Sequence, residues 1–156
     1  SIIGNAQSLG KFKYVIVPER YENFKHNDQY KLSSLSKFMF EGLGFVVVDE
    51  KGTIPEDLAK DPCLALKPLL EIDSNMFSTK MKIVLKDCFN KTVFVTEEGV
   101  CRKEKDNRVS HQTAFREAAK SFVNLNLSND HPADNNTDVD VEKTVQKPVE
   151  NISGNT

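Results

Sequence analysis

Three cysteines are the side chains of this sequence best suited to chemistry, as nucleophiles, metal ligands or disulfide partners. They stand at Cys63, Cys88 and Cys101, and no two of them form a C-x-x-C motif. None lies at metal-ligand spacing from a histidine. For Cys63 and Cys88 the sequence leaves three interpretations open: a disulfide, two separate reduced thiols, or a redox-active pair.

The other titratable groups form no familiar catalytic constellation. The sequence contains no G-x-G-x-x-G, G-x-x-x-x-G-K or G-x-S-x-G motif. We therefore predict no catalytic residue, no metal site, no cofactor and no enzyme activity. The alternative is an enzyme of one of two kinds. One is a thiol-redox enzyme that uses Cys63 and Cys88, and the other is a small hydrolase in which Asp87, His111 and Arg102 meet in one cleft.

The elements that must position these residues follow from the hydrophobic pattern. Predicted strands cover 14–17, 45–49, 63–72, 79–88 and 92–98, and predicted helices cover 29–44, 55–60 and 111–125, with a charged loop at 102–108. We expect an α/β fold of the α+β type, in β-α-β-(short α)-β-β-β-α order. Its five-stranded mixed sheet packs against two main helices, and its first two strands run parallel.

Apolar spacing and capping residues describe the two long helices. Asn27 or Asp28 is predicted to cap the first of them, and Ser110 the last. The face that the first helix is predicted to bury carries Leu32, Leu35, Phe38, Met39 and Leu43.

A hairpin register favours the disulfide among the three interpretations. Folding residues 63–88 about a centre between Asn75 and Met76 places Cys63 opposite Cys88. Opposed residues in an antiparallel pair lie within disulfide range. A one-residue slip would mix the apolar and lysine-bearing faces of the hairpin, whereas a two-residue slip would not. We predict a structural disulfide between Cys63 and Cys88, with Cys101 left over.

The two ends of the chain differ in composition from the middle. Gly4 and Ala6 stand at the −3 and −1 positions of a cleavage site before Gln7, so residues 1–11 are predicted to be a signal-peptide remnant and flexible N-terminus. The alternative is an ordinary frayed end. Residues 12–125 are predicted to form a single domain, and 126–156 a disordered acidic tail. Cleavage and disulfide together predict an exported protein, periplasmic or extracellular.

Two loops carry apolar residues that could contact a partner. Met76 and Phe77 stand at the predicted hairpin tip, and Tyr21 and Phe24 follow the first strand. The alternative is that both loops fold back onto the sheet or a helix edge. A net charge of −2 gives no case for nucleic acid, and the absence of an 18-residue apolar run predicts no transmembrane segment. The expected partner is an unknown protein or cell-envelope component.

Two resemblances add expectations. The segments KYVIVPERY, YKLSSLSKFMFEGLGF, PEDLAKDPCLAL, VLKDCFNKTVFVTEEG and AFREAAKSF resemble a family of small uncharacterised exported proteins of Gram-negative bacteria, over roughly residues 12–122. That resemblance implies export and brings no known activity. In topology, KIVLKDCFNKTVFVTEEG and the Ala-rich last helix are similar to envelope lipoproteins of the curli-secretion assembly class. This chain lacks their lipidated Cys and the usual Gly in that turn. The resemblances imply a non-catalytic envelope or secreted binding or assembly module.

Overall fold

A six-stranded mixed sheet with helices on both faces organises the computed structural model, which describes residues 9–123 and 125. The strands are β1 (Tyr14–Val17), β2 (Val46–Asp49), β3 (Ala65–Ser74), β4 (Ser78–Lys86), β5 (Thr92–Val95) and β6 (Gly99–Arg102). The helices are α1 (Leu32–Gly42), α2 (Glu56–Lys60) and α3 (Asn107–Val123). The predicted fold class, with a mixed sheet and two main helices, is confirmed. The predicted signal-peptide remnant and the acidic tail lie outside the described residues, apart from the short stretch from Leu9.

The strand order is β2-β1-β3-β4, with β5 and β6 both on the free edge of β4. β1 runs parallel to β2 and to β3, so Tyr14 lies between Val46 and Ala65. The parallel pairing expected for the first two strands is therefore confirmed. β4 runs antiparallel to β3 and β5 because hairpin connections reverse the chain, whereas the α1 crossover does not. β6 continues in the direction of β5, so it is also antiparallel to β4.

The sixth strand is an addition to the prediction. β5 pairs with one half of β4 through Val95 and Val84, and β6 pairs with the other half through Gly99 and Met81. Between them, the Ile83 amide donates to the Thr96 hydroxyl at 2.9 Å and the Thr96 amide donates back to the Ile83 carbonyl at 3.0 Å. The pairing continues to residue 102, which was predicted to open a charged loop. Glu97 and Glu98, directly before Gly99, interrupt the apolar alternation, so the sequence pattern does not predict β6.

The first face of the sheet, defined here as the face covered by α1 and α3, carries the main core. Its fully buried side chains include Val15, Val17, Leu32, Phe40, Leu66, Ile83, Leu85, Ala114, Phe115, Ala118 and Phe122. Gly99 lets α3 lie close to β6, because a Cβ at this position would overlap the Ala114 carbonyl and the Ala118 amide. The absence of one side chain therefore sets the distance between helix and sheet.

α1 buries the predicted face except at Phe38, since Leu32 is buried and Leu35, Met39 and Leu43 pack partly buried against the core. Phe38 is 76% exposed, whereas Ser36 and Phe40 are buried. The Ser36 hydroxyl can be inside because it donates to the Leu32 carbonyl at 2.7 Å and shares a 2.7 Å hydrogen bond with the Tyr21 hydroxyl. These two partners satisfy a polar group that apolar spacing alone would place outside.

Both long helices begin at residues other than those predicted. α1 starts at Leu32 because Tyr30 and Lys31 have left-handed φ values of 55° and 60°, which a helix does not allow. The Asp28 carboxylate still accepts a first-turn amide, from Ser34 at 2.8 Å. α3 starts earlier than predicted because Asp106 accepts the amides of Arg108 and Val109 at 2.9 and 3.2 Å.

The second face of the sheet carries only α2 among the described helices. Leu58 of this helix packs in a small cluster with Tyr14, Val48 and Ala65. The Tyr14 hydroxyl donates to Asp57 at 2.6 Å, and the Lys13 ammonium donates to the same carboxylate at 2.9 Å. These contacts fix α2 over one part of the second face and leave the rest uncovered.

Among residues 9–123 and 125, no helix has the length and apolar character that crossing a membrane requires.

Candidate functional site

The disulfide between Cys63 and Cys88 is formed, with the two Cα atoms 4.8 Å apart. The predicted pair is therefore confirmed. The predicted hairpin register is wrong by two residues, since Lys67 faces Lys86 and Glu71 faces Lys82. The bonded cysteines lie beyond the last pair of the ladder, Lys67 and Lys86. Cys63 is in the turn before β3, and Cys88 is in the turn after β4. Cys101 is not bonded and is half-buried.

The turn chemistry of Asn75 explains the register. Its side-chain oxygen accepts the amides of Phe77 and Ser78, at 2.7 and 2.9 Å, and its own amide donates to the Ser78 carbonyl at 2.9 Å. Asn75 therefore begins the turn opposite Ser78, which moves the centre of the hairpin to Met76 and Phe77. A shift of two residues keeps every side chain on its predicted face, so the apolar face is unchanged.

The hairpin tip, defined here as Met76 and Phe77, presents two apolar side chains to solvent. Met76 is 83% exposed and Phe77 is 70% exposed. The backbone beneath them is held in place, because the Lys103 amide donates to the Phe77 carbonyl at 2.9 Å in addition to the Asn75 contacts. Apolar side chains on a fixed backbone are a feature of interaction sites. That they contact a partner stays a prediction.

The loop beside the tip is basic. Arg102, Lys103, Lys105 and Arg108 have no ion pair with any carboxylate in the described part of the chain. The two acidic residues of the loop are directed at backbone amides instead: Glu104 accepts the Asp106 amide at 3.0 Å, and Asp106 caps α3. The side chains around the hairpin tip therefore present unpaired positive charge.

The other predicted contact loop is not available to a partner. Tyr21 is 3% exposed, and burial raises the pKa of its hydroxyl, which bonds to Ser36. Phe24 is half-buried and packs edge-on against Tyr30 and His111, with ring centres 5.5 and 5.9 Å apart. The assignment of Tyr21 to a partner surface is wrong, and Phe24 offers only part of its ring. Both residues fold back onto the core, which was the alternative interpretation.

The cleft of the alternative hydrolase is not formed. Asp87 follows the last residue of β4, whereas Arg102 pairs with Ser78 at its first residue. A nine-residue strand separates them by roughly 27 Å. Asp87 is a turn residue that accepts the amides of Phe89 and Lys91 at 2.9 Å each, and these contacts lower its pKa. The sequence could not reveal this separation, because the three residues are brought near or apart only by the strand pairing.

His111 lies at the Arg102 end of the sheet and is buried, 6% exposed. Its Nδ1 contacts the Asn107 carbonyl at 2.8 Å and its ring stacks on Tyr30 with 4.5 Å between ring centres. These contacts give it a packing role within the core. In the described part of the chain, no three His, Cys, Asp or Glu side chains group as metal ligands would.

A groove crosses the second face between α2 and the uncovered parts of β1 and β3. It consists of two hollows of about 470 and 250 Å³. Ile16, Ile54 and Lys67 line both, so the hollows adjoin one another. Leu69 lies in the larger hollow, and Cys88 lies in the smaller. The sequence does not predict this groove, because its walls come from four separate segments. The one available signal was the row of lysines on the outer strand faces.

Comparisons with known proteins do not assign this chain to a family. A scan against protein-family models finds no match, and a search of curated proteins finds none either. The chain is similar to a crystal structure of a provisionally assigned lipoprotein from Caulobacter crescentus CB15, with 8% sequence identity and a TM-score of 0.31. The alignment covers 80% of this chain and 89% of that chain. At these values the resemblance to a lipoprotein is distant.

Proposed function

We propose that this protein is a non-catalytic binding module of the cell envelope or the secreted space, and that it docks a protein partner through the hairpin tip. The observation that carries the proposal is the exposure of Met76 and Phe77 on a turn whose backbone is fixed by hydrogen bonds. Binding sites gain most from a few apolar anchors of this kind.

The fixed turn matters because ordering a flexible loop opposes binding. Each mobile side chain or loop that must be ordered reduces the affinity that its contacts would give. Here the Asn75 and Lys103 hydrogen bonds hold the tip in one conformation before any partner arrives. The partner would therefore need a shallow apolar pocket, and the basic loop at 102–108 favours acidic side chains around that pocket.

The bonded cysteines support the assigned compartment. Structural disulfides persist in oxidising compartments and are rare in the cytosol. The Cys63–Cys88 bond therefore supports export, to either the periplasm or the medium. Intact mass after alkylation, with and without reduction, on protein taken from its native compartment tests this point. Three free thiols would remove the export assignment.

A paired binding experiment tests the tip. Proteins from an envelope extract should be retained by the wild type and lost by the double variant Met76→Ser with Phe77→Ser. Phe38→Ser is the matched control, because Phe38 is equally exposed but lies on α1. All three proteins should have the same Tm. If the double variant retains the same proteins as the wild type, the tip is not the docking site.

A thiol-redox enzyme is the second candidate, because Cys88 lines a groove that a substrate could enter. It predicts that the reduced protein reduces insulin disulfides and that Cys88→Ser abolishes the activity. The binding module predicts no activity above that of free cysteine.

A further inference from the structure

Two lysines face each other directly at the end of the β3–β4 ladder. Lys67 pairs with Lys86, and both side chains lie on the second face. Like charges in directly opposed positions destabilise a sheet. The neighbouring lysines of β4 avoid this arrangement, since Lys82 faces Glu71 and Lys80 faces Asp73. The Lys67–Lys86 pair is therefore a local exception that sheet stability does not explain.

Neither lysine is neutralised within the described part of the chain. The Lys86 ammonium donates to the Thr92 hydroxyl at 2.8 Å, which is a neutral acceptor. Lys67 has no side-chain hydrogen bond and no ion pair there. Two lysines thus occupy directly opposed positions, and neither has a carboxylate within ion-pair distance among the described residues.

Lys67 also lines both hollows of the second-face groove. The walls beside it are largely apolar, with Ile16 and Ile54 shared between the hollows and Leu69 and Leu58 at either side. Ile54 is 42% exposed although it is a large apolar residue. A concave, largely apolar site of some hundreds of Å³ with a small number of placed polar groups is typical of small-ligand sites.

We propose that this groove binds a single-chain amphiphile with an anionic head group. The head group contacts the Lys67 ammonium, with Lys86 across the ladder adding to the positive field. The hydrocarbon chain lies against Ile16, Ile54 and Leu69. Arg20, Glu22 and Glu50 also line the larger hollow with a combined charge of −1, so the anionic head group is favoured at Lys67 rather than beside them. The site shares no residue with the hairpin tip and is independent of it.

Titration of the full chain with three twelve-carbon ligands tests the proposal. Dodecanoate, dodecyl phosphate and dodecanol are added below their aggregation limits, and binding is followed by calorimetry. Carboxylate and phosphate both accept from an ammonium, so both anions should bind saturably at one site, at least tenfold more tightly than dodecanol. The anion that binds more tightly identifies the class of natural ligand: dodecanoate stands for a free fatty acid, and dodecyl phosphate for a phospholipid product. No saturable binding, or equal affinity for dodecanol, would overturn the proposal.

Three variants locate the site. Lys67→Met should weaken both anions at least tenfold and leave dodecanol unchanged. Lys82→Met is the matched control on the same face, and it should bind all three ligands as the wild type does. Ala59→Trp, at an exposed position of α2 that lines the smaller hollow, should weaken all three ligands. If Lys67→Met and Lys82→Met behave alike while both remain folded in a thermal melt, the head-group assignment is wrong.

Discussion

The two faces of the sheet are built by different means. The first face is covered by α1 and α3, and its side chains are almost completely buried in one continuous core. The second face has the five-residue helix α2, a small apolar cluster and an open groove. It depends on a disulfide and on the hydrogen bonds of Asp57, where the first face depends on packing.

The difference between the two faces separates the part of the molecule that stabilises the fold from the part that can bind ligands. A closely packed face has no room for a ligand, because protein interiors are filled to the density of organic crystals. The second face keeps apolar surface and two lysines that form no ion pair with any described residue. We infer that the first face supplies most of the folding free energy and that the second face is where ligands can bind. Four predictions test this division.

Loss of the disulfide should have the largest effect. The bond joins residues 25 apart, and closing such a loop in the unfolded chain corresponds to about 3.5 kcal/mol of stability. Cys63→Ser with Cys88→Ser should lower the free energy of unfolding by about that amount in a denaturant titration. Cys101→Ser is the control and should change little. Equal stability of all three proteins would mean that the second face does not need its covalent link.

Gly99→Ala should break the contact of α3 with β6. The new Cβ would meet backbone atoms of Ala114 and Ala118, which cannot turn aside as a side chain can. We expect a loss of about 3 kcal/mol, at the upper end of the usual range for overpacking. Gly42→Ala, in the last turn of α1 with no atom within 4 Å, should instead be neutral or slightly stabilising. Similar effects at both glycines would contradict close packing on the first face.

The attachment of α2 should depend on pH. Hydrogen bonds from Lys13 and Tyr14 hold the pKa of Asp57 below its ordinary value. The resulting stabilisation is complete above the unfolded pKa of about 3.9 and is lost as the pH falls through the lower folded pKa. Tm should therefore fall on acidification below about pH 4, and less steeply in Asp57→Asn. Part of the fall should remain, because Asp87 also has a lowered pKa. An unchanged slope would show that the Asp57 contacts do not stabilise α2.

The smallest effect should be a gain. Lys67→Met removes one of two directly opposed positive charges, so it should stabilise the protein by roughly 0.2–1 kcal/mol. Lys82→Met removes a charge opposite Glu71 and should be neutral or slightly destabilising. Chemical denaturation at low salt gives both values. A destabilised Lys67→Met protein would mean that Lys67 contributes to folding, which would weaken its assignment to a ligand site.

Local patterns predicted the elements of the first face well. The apolar run at Tyr14–Val17 gave β1, and the spacing in the last helix gave the buried Ala114, Phe115, Ala118 and Phe122. The prediction failed where polar side chains are buried or direct a turn. Ser36 is inside because Tyr21 and Leu32 satisfy it, and Asn75 shifts the hairpin by two residues. Such effects depend on partners distant in sequence or on side-chain hydrogen bonds that hydrophobic periodicity does not detect.

The candidate sites divide in the same way. Met76 and Phe77 were identified from the sequence, because two apolar residues in a polar turn are a local signal. The groove was not, since Ile16, Ile54 and Lys67 come from different segments and meet only in the folded sheet.

By itself, the sequence predicted the three helices and five of the six strands in order, the parity of the hairpin and the pairing of Cys63 with Cys88. The period of apolar residues sets which side of a strand or helix is buried, and the positions of two cysteines set which thiols can meet. The tertiary structure alone decided that Tyr21 is buried, that Asp87 and Arg102 lie at opposite ends of β4, and that Lys67 lines an apolar groove. These are distances between segments remote in the chain, and only the packing of the sheet and its helices fixes them.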